Sequence, residues 1–154
     1  MSVLPILLLL GILVAATFQA ESMPTFVVSE MFQNSVYFLS KQAAKFDLRL
    51  MNRICKDIGG YLVEIDSPKE QDFLSKFVTG MTRHYVYTGA NDVMREGTFV
   101  YYNSKKPMPA LKWYENNPDN WLGDENCVHI TSEGLNDICC DHIAKYLCEL
   151  KVAS

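Results

Sequence analysis

The stretch WYENNPDNWLGDENCVHITSEGLNDICCDHIAKYLC, residues 113–148, decides how this chain is read. Within it stand Asn117-Pro118-Asp119-Asn120-Trp121, Glu125-Asn126-Cys127, Asn136-Asp137, Cys140 and Cys148. Five oxygen-bearing side chains, Asn117, Asp119, Glu125, Asn136 and Asp137, are thus interleaved with cysteines. Calcium is bound by six to eight oxygens drawn from carboxylates, amide carbonyls and backbone carbonyls. The five residues supply that chemistry, with three negative charges to offset a divalent ion. Pro118 fixes one torsion between two of the candidate ligands, so both can be aimed before a metal arrives. Zinc fits less well, because acids and amides are hard oxygen donors.

Working outward, the chain of 154 residues is one domain's worth, and 49% hydrophobic with 21% charged residues is an ordinary globular composition. A formal charge of −4 argues against nucleic acid, since the sequence shows no basic face to neutralise phosphates. Leu4 to Ala16 is apolar apart from Pro5 and Gly11 and sits at the N-terminal end. It reads as a secretory signal peptide within residues 1–20, cleaved after Ala16 or Ala20. No later run is apolar and long enough to span a bilayer. The expected product is a secreted, extracellular domain over residues 24–151. Five cysteines in such a chain imply bridges with one thiol left over, and sequence alone leaves the connectivity open.

Phe26 to Leu39 reads as a first strand, with Val36-Tyr37-Phe38 at its heart. Phe46, Leu50, Ile54 and Ile58 recur every four residues, which predicts an amphipathic helix over 42–58 ended by Gly59-Gly60. Tyr61 to Ile65 reads as a short strand. Ser67-Pro68-Lys69-Glu70 is a capping box with proline at the first helical position, opening a second helix that stops near Gly80. Strands are expected at 85–87, 99–102, 127–131 and 146–150, with a polar turn from Gly89 to Gly97. Residues 103–124 form a long loop, of a length that is usually functional. Helices first and short strands later make the class α+β.

These features resemble the C-type lectin domain, over nearly all of the expected mature chain. In that family a Glu-Pro-Asn or Gln-Pro-Asp triplet, a Glu two residues before a cysteine, and a Trp-Asn-Asp triplet hold the sugar-binding calcium. Here the matching residues are Asn117-Pro118-Asp119, Glu125 before Cys127, and Leu135-Asn136-Asp137. Asn117 is one methylene shorter than the usual residue, and Leu135 stands where Trp is common. The resemblance implies bridges Cys55–Cys148 and Cys127–Cys140, with Cys139 left either as a buried free thiol or as the link of a disulfide dimer. It implies a C-type lectin-like fold and calcium-dependent binding of glycans or glycoproteins rather than enzymatic turnover. No hydrolase or metalloprotease motif contradicts that. The amide-then-acid order of Asn117 and Asp119 resembles galactose-type relatives. Carbohydrate contacts would come from Asn117, Asp119, Trp121, Glu125 and Asn136, with Trp121 placed against the apolar face of the sugar or else anchoring the loop. Asp92 and Glu96 match positions that hold an auxiliary calcium in some relatives, and are otherwise solvated acids on a turn. Trp113 resembles a core residue of the family. His84, His129 and His142 fall outside the implied ligand set. The rival reading keeps the fold and binds a protein or mineral surface instead of sugar.

Overall fold

A computed structural model describes residues 25–153. The signal peptide expected over residues 1–20 lies outside them. In chain order the elements are β1 (Phe26–Val28), β2 (Ser35–Ser40), β3 (Ala44–Lys45), α1 (Leu48–Asp57), β4 (Tyr61–Leu62), α2 (Pro68–Met81), β5 (Val86–Asn91), β6 (Val100–Tyr101), β7 (Cys127–Ile130), β8 (Leu135–Ile138) and β9 (Ile143–Lys151). The strands join in the order β1-β2-β9-β5-β7-β8, with β3 and β4 also on β9 and β6 on β5. All pairs are antiparallel except β5 with β9. The α+β expectation holds.

Successive side chains of a strand point to opposite faces, and β9 shows what that achieves. Leu147 joins a core with Tyr37, Val63, Leu74, Val86 and Val128, under α2. Tyr146 and Cys148 join a second core with Phe46, Met51, Cys55 and Tyr87, under α1. Bridge Cys55–Cys148 staples α1 to β9, and Cys127–Cys140 closes the β7–β8 unit, as the family resemblance implied. On the loop-entropy model these closures contribute about 4–5 and about 3 kcal/mol.

Three expectations need correction. The segment 26–39 is two strands, since the chain turns back through Phe32–Ser35 and β1 pairs antiparallel with β2. The first helix begins at Leu48, six residues later than the periodicity suggested. Asp47 takes the cap in extended geometry and its side chain accepts from Leu50 N, while Ala44-Lys45 are drawn into pairing with β9. The buried stripe of α1 is also rotated by one position: Met51 and Cys55 are inside, and Leu50 is 51% exposed. The disulfide sets that rotation, because Cys55 must face Cys148. The second helix starts as expected on Ser67, whose hydroxyl accepts from Glu70 N. The Glu70 carboxylate, however, takes Asp66 N and the Tyr37 hydroxyl rather than the cap residue's own N–H.

Candidate functional site

The 103–124 loop is a loop as expected, and it returns to the sheet beside β8. A bridge between Trp113 and Leu135 makes the junction. Gly134 is required there: a Cβ at that position would lie 2.6 Å from the Trp113 carbonyl carbon. Trp113 packs on the first core against Phe99, as its family position suggested. Leu135, in the place of a common Trp, is buried and fills the same core.

That junction carries Asp137 to the loop. The strand β8, not expected from the sequence, pairs with β7 in the register Val128↔Asp137 and His129↔Asn136. Asp137 is 1% exposed. Its two carboxylate oxygens accept from Asp119 N at 3.1 Å and Asn120 N at 2.8 Å. Glu125 reaches back to accept from Trp121 N at 2.9 Å, while its own N–H donates to the Asn120 side chain at 3.1 Å. The result brings carboxylate oxygens of Asp119, Glu125 and Asp137 within 4.8 Å of one another. Three anions so close repel. Burial first, and then the charges of Asp137 and Asp119, push the Glu125 carboxyl above the ordinary carboxylate range. A hard divalent cation would relieve that repulsion, so the donor set fits calcium.

The two amides neighbour this cluster in the chain, Asn117 two residues before Asp119 and Asn136 next to Asp137. Asn117, joined to Pro118 by a cis peptide, donates its Nδ2 to Tyr114 O at 3.0 Å. Asn136 donates its Nδ2 to its neighbour's carbonyl, Asp137 O, at 2.8 Å and faces His129 Nε2 at 3.2 Å. In each case the amide nitrogen is committed to the protein, which leaves the side-chain oxygen as the free donor atom. His129 is the residue that the sequence reading passed over. The ring is 6% exposed, and burial pushes it down to about 4, so it is neutral at physiological pH. A neutral ring keeps one nitrogen free to accept, and Nε2 is the one that faces Asn136, while Nδ1 is buried without a partner. The edge of Tyr85 packs on it with ring centroids 4.9 Å apart. Its pairing with the strand that carries Asn136 and Asp137 was the missing signal, and that strand was not legible.

Trp121 is 68% exposed at the start of a short 3-10 turn, Trp121–Gly123, so most of its side chain faces solvent. Leu122 beside it is 87% exposed and adopts φ +60. Asp92 and Glu96 part company. Glu96 is a solvated acid, whereas Asp92 is 1% exposed, accepts from Gly97 N through Oδ2 at 2.7 Å, and leaves Oδ1 buried without a partner. The two are not joined by a third acid; among the described residues the only three-acid cluster is the one above. Cys139 is unbridged and half-buried. Desolvation and the carboxylates of Asp124, Glu125 and Asp141 raise its thiol above the ordinary range.

Residues 49–150 match the family model described as the lectin C-type domain. The chain belongs to the C-type lectin domain family. Among its relatives, the CD209 antigen of Symphalangus syndactylus is 30% identical over 125 residues and that of Homo sapiens 29%, each over 80% of this chain. The chain spans about a third of the length of those proteins. Among solved structures, the mouse scavenger receptor C-type lectin carbohydrate-recognition domain superposes with a TM-score of 0.69 at 26% identity, covering 80% of this chain and 95% of that one. The cow CD23 carbohydrate-recognition domain, solved in the presence of a GlcNAc2Man3 oligosaccharide, gives 0.70 at 26% identity, covering 84% and 95%. A calcium-independent type II antifreeze protein shares the fold at a TM-score of 0.66 and 18% identity, covering 82% of this chain and 92% of that one. C-type lectin domains are binding modules, and fold alone does not assign a ligand. The site must do so.

Proposed function

We propose that this C-type lectin domain is a secreted, calcium-dependent carbohydrate-binding protein that selects galactose-type glycans. The observation that carries the reading is the convergence of Asp119, Glu125 and Asp137, with carboxylate oxygens within 4.8 Å, on the loop that bears Asn117 and Trp121. A domain serving only a protein surface would have no need to hold three mutually repelling acids together.

In this reading Asp119, Glu125 and Asp137 hold calcium together with the side-chain oxygens of Asn117 and Asn136. Bound there, calcium supplies open coordination positions for two neighbouring sugar hydroxyls. The chain's own residues do the rest. Carboxylates accept from those hydroxyls, while the amide nitrogens stay bonded to the protein and hold the amide oxygens toward the site. His129 fixes which end of the Asn136 amide faces the site, and Asp137 pins the loop through Asp119 N and Asn120 N. The exposed indole of Trp121 offers an apolar face to the less polar side of the ring. Affinity for calcium falls in the range of extracellular modules, about 10⁻⁴–10⁻³ M.

Chromatography of the protein on galactose and mannose resins, with calcium and with EDTA, tests this. Retention on galactose that EDTA abolishes supports it, and equal retention with and without chelator overturns the mechanism. The double change Asn117→Glu with Asp119→Asn should move preference toward mannose; an unchanged preference would mean that the amide–acid order does not select.

A further inference from the structure

The charge of this chain is unevenly placed, and against the expectation of no basic face one segment is strongly basic. Residues 41–56 carry five of its 14 Lys and Arg side chains (Lys41, Lys45, Arg49, Arg53 and Lys56) and one of its 18 acids, Asp47. That segment is net +4, which leaves −8 for the rest of a chain whose total is −4. Folding then sorts the cations. On α1, Arg49, Arg53 and Lys56 are spaced by four and three residues and share one helix face. They lie opposite the buried pair Met51 and Cys55. The three span about 10 Å along the axis. Lys45 stands exposed two residues before the helix cap, on β3.

The cations of this row are free of carboxylate partners, as are the other described Lys and Arg side chains apart from Lys151. Among the described residues the ion pairs within 4.0 Å belong to Lys151, and none involves this row. Asp47 is committed to the helix cap, accepting from Leu50 N at 2.7 Å. Asp57, next along the face from Arg53, makes no ion pair with it. Lys56 lies over the ring of Tyr61, with Nζ 5.5 Å from its centroid. The helix that carries the row is tied to the sheet through Cys55–Cys148, so little ordering of the backbone is needed when a ligand arrives.

We infer that the exposed face of α1, Arg49, Arg53 and Lys56, with Lys45 before the helix cap, is a second binding surface, for a sulfated polysaccharide. Guanidinium groups pair with sulfate-like oxygens through parallel N–H donors, and a linear row matches a linear polyanion. The aromatic ring beside the row, Tyr61, is half-buried with Lys56 over it, a poor platform for stacking bases, and the row is short for tracking a duplex. The surface is chemically independent of the acid cluster, so it works without calcium. A glycan-binding domain with both surfaces would grip acidic polysaccharide through charge and terminal sugars through its loop.

The test uses the full chain and heparin as the probe, in EDTA, over a salt series. Binding is expected at low salt, with log affinity falling linearly as log salt rises. The triple variant Arg49→Gln, Arg53→Gln, Lys56→Gln should bind at least tenfold more weakly with a shallower salt slope. Arg49→Lys with Arg53→Lys should recover much of the loss, which separates charge from folding. Asp137→Asn, damaged in the loop, should bind heparin as the wild type does, so this surface stands or falls apart from the calcium site. Heparin binding unchanged in the triple variant, or absent at low salt, overturns the inference. Tighter binding to duplex DNA or to phosphatidylserine vesicles than to heparin also overturns it, in favour of that other polyanion.

Discussion

Replacing His129 with glutamine tests whether its ring is buried and neutral. Glutamine cannot titrate, yet its side-chain oxygen can still accept from Asn136 Nδ2. In the folded chain burial holds the imidazole at about 4, against 6.5 for a free one. Between those values the unfolded chain takes up a proton that the folded chain refuses. Stability from this group is therefore complete above about pH 6.5 and is lost as pH falls toward 4. The gap is worth about 3 kcal/mol. Glu70 and Glu125 work in the opposite sense, because both carboxyls are raised, chiefly by burial, and their folded forms keep protons longer as pH rises. Subtracting the variant from the wild type cancels them. Urea unfolding in EDTA at pH 7 and pH 4 gives the two differences needed, with equal m-values as the check on two-state behaviour. The wild type should lose about 3 kcal/mol more than His129→Gln over that interval. Parallel losses would refute the reasoning, since they would mean that the imidazole ionises freely within the fold.

The same residue separates positioning from stability: His129→Leu should weaken calcium affinity about tenfold, the equivalent of one lost orienting hydrogen bond, while His129→Gln keeps it, as read by calorimetric titration. Asp137→Ala should lower stability by about 2–4 kcal/mol even in EDTA, because Asp119 N and Asn120 N each lose a charge-assisted acceptor; thermal unfolding shows this, and an unchanged Tm would mean the carboxylate does not pin the loop. Leu122→Gly should raise stability by about 1 kcal/mol, since a leucine at φ +60 carries a steric penalty that glycine lacks; a loss would show that the exposed side chain has a contact in solution.

What was legible in the sequence is what local chemistry dictates. Ser67-Pro68 starts a helix because a hydroxyl cap and a fixed φ act within one turn, and α2 begins there. Gly59 stops α1 because φ +85 suits glycine. The acids of the site were legible because a hard cation needs them whatever holds them. Illegible features depended on distant partners. Residues 44–45 have a helical neighbourhood but are claimed by β9. Met51, not Leu50, faces inward because Cys55 must reach Cys148 across 93 residues. β8 was invisible, since Leu-Asn-Asp-Ile has no strand alternation of its own and is held by its register with β7 and the bridge from Trp113. The site follows the same rule. Its ligand types are written locally, but the aim of each is set from elsewhere: Asp137 by β7, Asn136 by His129, and Asp119 by Asp137. A change in β7 that leaves every acid in place should therefore disable the site as surely as removing one of them.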